Sequence, residues 1–176
     1  MRQWTKSNFW PYFVATLLLT NSWVSAQSLS NSVFQKHRTE VESSVERGLK
    51  YLSEKQKIDG TFSDSHGRSV GIVALVGMAY LSAGHTPGYG EYSEAIDRSI
   101  DYILDSQKNN GLLDRGDSGS GLMYAHNIAT LFLSEVSGTL ESDRQEKLEK
   151  VLGKATMLIL EAQAVKMSDK NTRGWR

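Results

Sequence analysis

Apolar and polar positions alternate along this chain in two patterns that take turns. From about Thr39 to Gln56, Val41, Val45, Leu49 and Leu52 recur at helical spacing between charged residues, which predicts an amphipathic helix. Tyr92, Ile96, Ile100, Ile103 and Leu104 make a similar stripe over about 92–107. A longer stripe, Leu148, Val151, Leu152, Ala155, Leu158, Ile159 and Ala162, runs over about 143–163. The segments 70–81 and 122–133 are instead apolar on almost every side. β-Branched residues over 70–76 leave a strand open there by period alone, but length and the matching fourth segment favour helix. Helices apolar all round are expected to be buried on most sides. The pattern predicts an all-α protein of five helices, amphipathic ones outside and apolar ones inside.

The alternation is also a repeat. Leu49-Lys-Tyr-Leu-Ser-Glu-Lys-Gln56 aligns with Ile100-Asp-Tyr-Ile-Leu-Asp-Ser-Gln107, and Gln56-Lys-Ile-Asp-Gly60 then matches Gln107-Lys-Asn-Asn-Gly111 without a gap. A third copy starts at Leu158-Ile-Leu-Glu-Ala-Gln163, with its glycine delayed to Gly174. A fixed period of this kind marks stacked helical hairpins. Gly60 and Gly111 suit left-handed turns beside Asp59 and Asn110, and Gln56 and Gln107 are placed to bond free main-chain groups of a neighbouring helix.

Residues 1–26 read differently. Arg2 and Lys6 precede an apolar run, Phe13 to Thr20, and Val24 and Ala26 sit at −3 and −1 of a cut. This is the pattern of a secretory signal peptide. The run is far shorter than the ~20 apolar residues that span a bilayer. Export with cleavage near Ala26 is expected, to periplasm or medium, with an uncleaved N-terminal anchor as the alternative. Residues 27–38 read as a polar linker and 39–176 as the repeat domain.

Gln56-x-x-Asp59-Gly60-x-Phe62, followed by an apolar helix, resembles the QW-type (prenyltransferase/squalene-oxidase) repeat of terpene cyclases and protein prenyltransferases. Gln107-x-x-Asn110-Gly111 and the late Gly174-Trp175 resemble weaker copies. Tyr124 to Glu135 is similar to the inner helix of bacterial secreted members. The resemblance covers roughly residues 40–176 and implies part of an α/α toroid. It does not carry activity, because function sits in sites grafted on folds. The acidic Asp-x-Asp-Asp proton donor of the cyclases is absent from this chain. The zinc ligands of the prenyltransferases and the thioester of complement-like relatives both need a cysteine, and there are no cysteines. Two and a half hairpins are fewer than a closed ring of the family holds. The expectation is a piece of a longer toroid, or a chain whose fifth helix is covered by self-association, a partner or a further C-terminal half.

The candidate chemistry sits in the loops before the apolar helices. His66 and Arg68 precede the second helix, while Asp114, Arg115 and Asp117 precede the fourth, which carries Tyr124 and His126. Together they would form a rim at the mouth of the inner helices, suited to an acidic or sugar-like ligand or to acid–base work. A hydrogen-bonded core role is the other reading for His126, and a plain polar loop the other for 114–121. The glycines at 116, 119 and 121 do not match a dinucleotide fingerprint, and 114–121 lacks EF-hand spacing.

Charge narrows the partners further. The 20 basic and 20 acidic residues balance, which argues against a nucleic-acid binder working through bulk positive charge. No cofactor and no metal are expected, and the ligand is expected to be a small molecule or glycan. Three functions follow: an exported non-catalytic binding or scaffold module, a fragment of a prenyltransferase- or cyclase-like enzyme, and a polysaccharide-active α/α-barrel protein.

Overall fold

The computed structural model describes residues 24–63, 66–116, 121–168 and 171–172. The protein is all-α: α1 (Val24–Lys55), α2 (Val70–Ser82), α3 (Ser93–Leu104), α4 (Leu122–Glu135) and α5 (Ser142–Ala164). A short antiparallel pair follows, β1 (Lys166–Ser168) with β2 (Asn171–Thr172), in which Lys166 faces Thr172. The expected leader lies almost wholly outside the described residues, as do Asp117, Gly174 and Trp175. No helix among the described residues is long and apolar enough to cross a membrane.

The chain divides into two compact units, 1–47 and 48–176, and the division falls inside α1. In the first unit the helix is already formed at Val24, well before the expected start at Thr39, so the segment read as a linker is helical. No proline or glycine interrupts residues 24–47, and polar residues alone do not stop a helix. Local pairs line this stretch, such as Arg38 Nε to Glu42 Oε1 at 2.6 Å. The stripe predicted for the helix is not buried throughout: Val41 and Val45 stay 51% and 49% exposed, whereas Leu49 is buried.

In the second unit α2 packs chiefly on α3 and α4, and α4 on α5. Two glycines of α2 let the inner helices approach. A Cβ on Gly71 would lie 2.8 Å from Ala125 Cα, and one on Gly77 2.5 Å from the Phe132 ring. The core around them includes Val73, Tyr80, Ile96, Ile100, Ile103, Phe132, Leu133 and Leu148. Each such side chain contributes roughly 1.5–3 kcal/mol by leaving water. Stripe positions Ile96, Ile100, Ile103 and Leu104 of α3 are all buried. Along α5 burial fades: Leu148, Val151 and Ala155 are buried, Leu158 and Ile159 only partly, and Met157 and Leu160 are exposed.

The hairpins are joined by one joint used twice. Gln56 Nε2 donates to the Gly60 and Ala95 carbonyls at 3.3 and 3.2 Å, and to Ser99 Oγ at 2.9 Å. Gln107 Nε2 donates to the Gly111 and Val151 carbonyls at 3.2 and 2.7 Å. The turns between glutamine and glycine match atom for atom. Lys57 N–H donates to Thr61 O and Lys108 N–H to Leu112 O, both at 2.8 Å. Asp59 Oδ1 accepts from Thr61 N–H, as Asn110 Oδ1 does from Leu112 N–H. Gly60 and Gly111 have φ of 82° and 88°, and each lies against a carbonyl of the next outer helix, that of Arg98 or Lys154. Gln163, in the expected third copy, is exposed in the last turn of α5, and Gly174 of that copy lies outside the described residues.

Candidate functional site

The residues expected on one rim are distributed among three places. The first is the core. His126 is fully buried: its Nδ1 accepts from Leu113 N–H at 3.1 Å and its Nε2 lies 3.2 Å from the Ala155 carbonyl. A carbonyl can only accept, so Nε2 carries the proton and the ring is neutral. Burial holds its pKa below the ordinary histidine value, against the opposing bond to Ala155. This is the core reading, and the rim role expected for His126 is corrected. Asp114 is also buried, with Oδ2 2.6 Å from Lys108 Nζ and its N–H on the Ser106 carbonyl. It braces the loop after the second turn.

The second place is an apolar cavity of about 240 Å³ between α2 and α4. Ile72 and Leu75 of α2 and Ala125 and Ile128 of α4 line it, with His66 and Ser69 at its polar side. The inner helices are therefore not buried all round. Ile72, Leu75, Tyr124 and Leu131 remain exposed, Tyr124 at 65%. α2 and α4 each turn one face into the core and leave the opposite strip uncovered.

The third place is a polar pocket of about 250 Å³ on the α3 side. Arg68 and Arg115, expected on the rim, line it together with Arg98, Asp101, Tyr102 and Asp105. Tyr102 organises it. Its hydroxyl donates to the Arg68 carbonyl, and the Arg115 guanidinium lies 4.9 Å from its ring centroid, in cation–π range. Arg98 Nη2 donates to Gln56 Oε1 at 3.2 Å, which ties the pocket to the first repeat joint. Asp59, also on the wall, accepts from both Thr61 Oγ1 and Thr61 N–H, and these bonds hold its carboxyl below the usual pKa. Asp101 pairs with Arg144 at 2.8 Å and Asp105 with Lys147 at 2.7 Å, both cations coming from α5.

Four pocket residues, Arg98, Asp101, Tyr102 and Asp105, escape the sequence reading. A signal for two of them was present. Asp97, Asp101 and Asp105 recur every fourth residue, which puts three carboxylates on one helical face. Tyr102 had no such signal, because its repeat equivalent Tyr51 is exposed and only Tyr102 is buried. No group of three or more metal-ligating side chains comes together among the described residues. Comparison with family models, curated proteins and solved structures finds no match to this chain.

Proposed function

We propose that the chain is an exported helical-repeat module of the α/α-toroid type, which binds a ligand along its inner helices and is not itself a catalyst. The twice-used glutamine joint supports the repeat reading, since it stacks each hairpin on the next outer helix in the same way. One observation carries the binding reading: α2 and α4, the most apolar helices of the second unit, leave a common strip uncovered with a cavity set into it. Contiguous exposed apolar surface of this sort marks a binding surface. The lining suits an apolar small molecule with one hydrogen-bonding end, its body on Leu75 and Ile128 and that end toward His66 and Ser69.

The test is a fluorescence titration with Nile red, an uncharged apolar dye. The protein should enhance its emission saturably. The double variant Ile72→Gln/Leu75→Gln changes only exposed positions, so it should keep the melting temperature and lose the enhancement. Equal enhancement by a folded variant would remove the inner strip as the binding surface.

A further inference from the structure

The cavity between α2 and α4 has a counterpart at the other end of the same two helices. A space of about 190 Å³ lies against Met78, Leu81, Ser82 and Glu135, where α2 and α4 end. The larger one, of about 240 Å³, lies where they begin, against Ser69 and Gly121. Both belong to one groove. On α2, Gly71, Leu75, Met78 and Ser82 recur every three or four residues, which puts them in one row. On α4, Gly121, Ala125, Ile128 and Glu135 keep the same register. Exposed Leu75 and Leu131 make the stretch between the cavities apolar. We infer that this groove holds one free long-chain fatty acid, its carboxylate at the N-termini of α2 and α4 and its methyl end at Met78 and Leu81. The inference rests on the inner strip being the binding surface, and it names what binds there.

Length, width and charge each select this ligand. α2 has 13 residues and α4 has 14, so the groove runs about 20 Å. An extended chain advances ~1.2 Å per bond, so about sixteen bonds fill it, the length of palmitate. Each cavity is smaller than the ~300–1,000 Å³ that compact drug-sized ligands occupy, which suits a thin tail. One row of side chains on each helix gives width for one tail, not for the two of a phospholipid. The two ends of the groove differ in charge. Neither α2 nor α4 has a side-chain cap or an acidic residue in its first turn. Their free N–H groups and positive dipole ends therefore favour an anion at the larger cavity. Ser69, only 9% exposed, lines that cavity, and its hydroxyl neither caps α2 nor meets another partner among the described residues. It is a buried donor left for a carboxylate to satisfy. The opposite end carries the helix C-termini and Glu135, which repel a carboxylate and accept a methyl end past them.

The test is a titration of the full chain with saturated fatty acids below their micelle thresholds, read by NMR signals of Ser69 and Met78 and by displacement of Nile red. Affinity should rise about fourfold per added methylene from octanoate and level off near palmitate. Hexadecanol has the same tail without the charge and should bind about tenfold more weakly than palmitate. Ser69→Ala should weaken palmitate about tenfold, the size of one lost bond to a charged group. Ser82→Trp adds bulk at an exposed position of the far cavity. It should bring the plateau to a shorter chain and leave octanoate binding unchanged, which a merely structural role would not do. A flat chain-length profile, hexadecanol equal to palmitate, or a folded Ser82→Trp variant with an unmoved plateau would each overturn the assignment. So would dimers that palmitate does not disperse, which would give the groove to a second copy. Binding to phosphatidylglycerol vesicles with no response to free palmitate would give it to a membrane. Nile red enhancement that palmitate leaves untouched overturns the fatty acid and keeps the apolar strip as a binding surface. Absence of enhancement removes that strip reading, and the NMR titration still decides on the fatty acid directly.

Discussion

The side-chain amide of Gln107 donates to the main-chain carbonyl of Val151 across 2.7 Å, although 44 residues separate them. The same amide holds Gly111 O, so one side chain closes its own turn and grips the next outer helix. Replacing Gln107 by Leu keeps the bulk and removes both bonds. The expected loss is about 1–2 kcal/mol, read from the midpoint of urea unfolding. A midpoint equal to wild type would show that the joint is held by packing alone.

One joint glycine and one loop glycine separate strain from crowding. Gly111 has φ of 88° and its Cβ site lies 2.6 Å from the Lys154 carbonyl oxygen. Gly138 has nearly the same φ, 86°, with nothing within 4 Å of its Cβ site. Gly138→Ala should cost about 1–2 kcal/mol, the left-handed backbone penalty alone. Gly111→Ala should cost about 2–5 kcal/mol, because backbone must also move. Equal losses in paired thermal melts would contradict the close approach.

His126 makes stability depend on pH. Its folded pKa is depressed by burial below the ordinary 6.5, so near and below that value the unfolded chain binds more protons than the folded one. Its stabilising contribution is complete above pH 6.5 and is lost as pH falls through the folded pKa. His126→Asn retains an acceptor for Leu113 N–H and cannot titrate. Urea unfolding at successive pH values should show a smaller fall for the variant on acidification, from a lower starting stability. Parallel curves would place the acid sensitivity elsewhere.

Tyr80 carries a polar group with no evident use in folding. It is fully buried, stacked on Tyr92 at 5.0 Å, and its hydroxyl meets no partner among the described residues. Burial, with Tyr92 second, pushes its pKa up to about 12. Tyr80→Phe keeps the stacked ring and removes the orphan group. It should leave stability unchanged or raise it by about 1 kcal/mol. A clear loss in calorimetry would reveal an unseen partner, a bound water first among them.

Much of this architecture is legible in the chain because its causes are local. Periodicity places α2 to α5 within about three residues of where they stand, since each stripe reflects which side of one helix meets the core. The Gln…Gly element is legible for the same reason: a left-handed glycine beside Asp59 or Asn110 is a property of five consecutive residues. The full length of α1 is not legible, because the polar composition of 27–38 resembles a boundary although no breaker occurs there.

The candidate sites depended on distances that no local pattern encodes. His66, Arg68, Arg115 and His126 are similar in sequence, being polar residues at or near the starts of apolar helices. Only the packing of α3 and α5 against those helices sends His126 to the core, His66 to an apolar cavity and both arginines to Tyr102. By itself the sequence determined the helices, their order and the joint that repeats, because these follow from nearest neighbours along the chain. The tertiary structure decided which polar groups are buried and satisfied and which still face a pocket, because that depends on contacts between residues tens of positions apart.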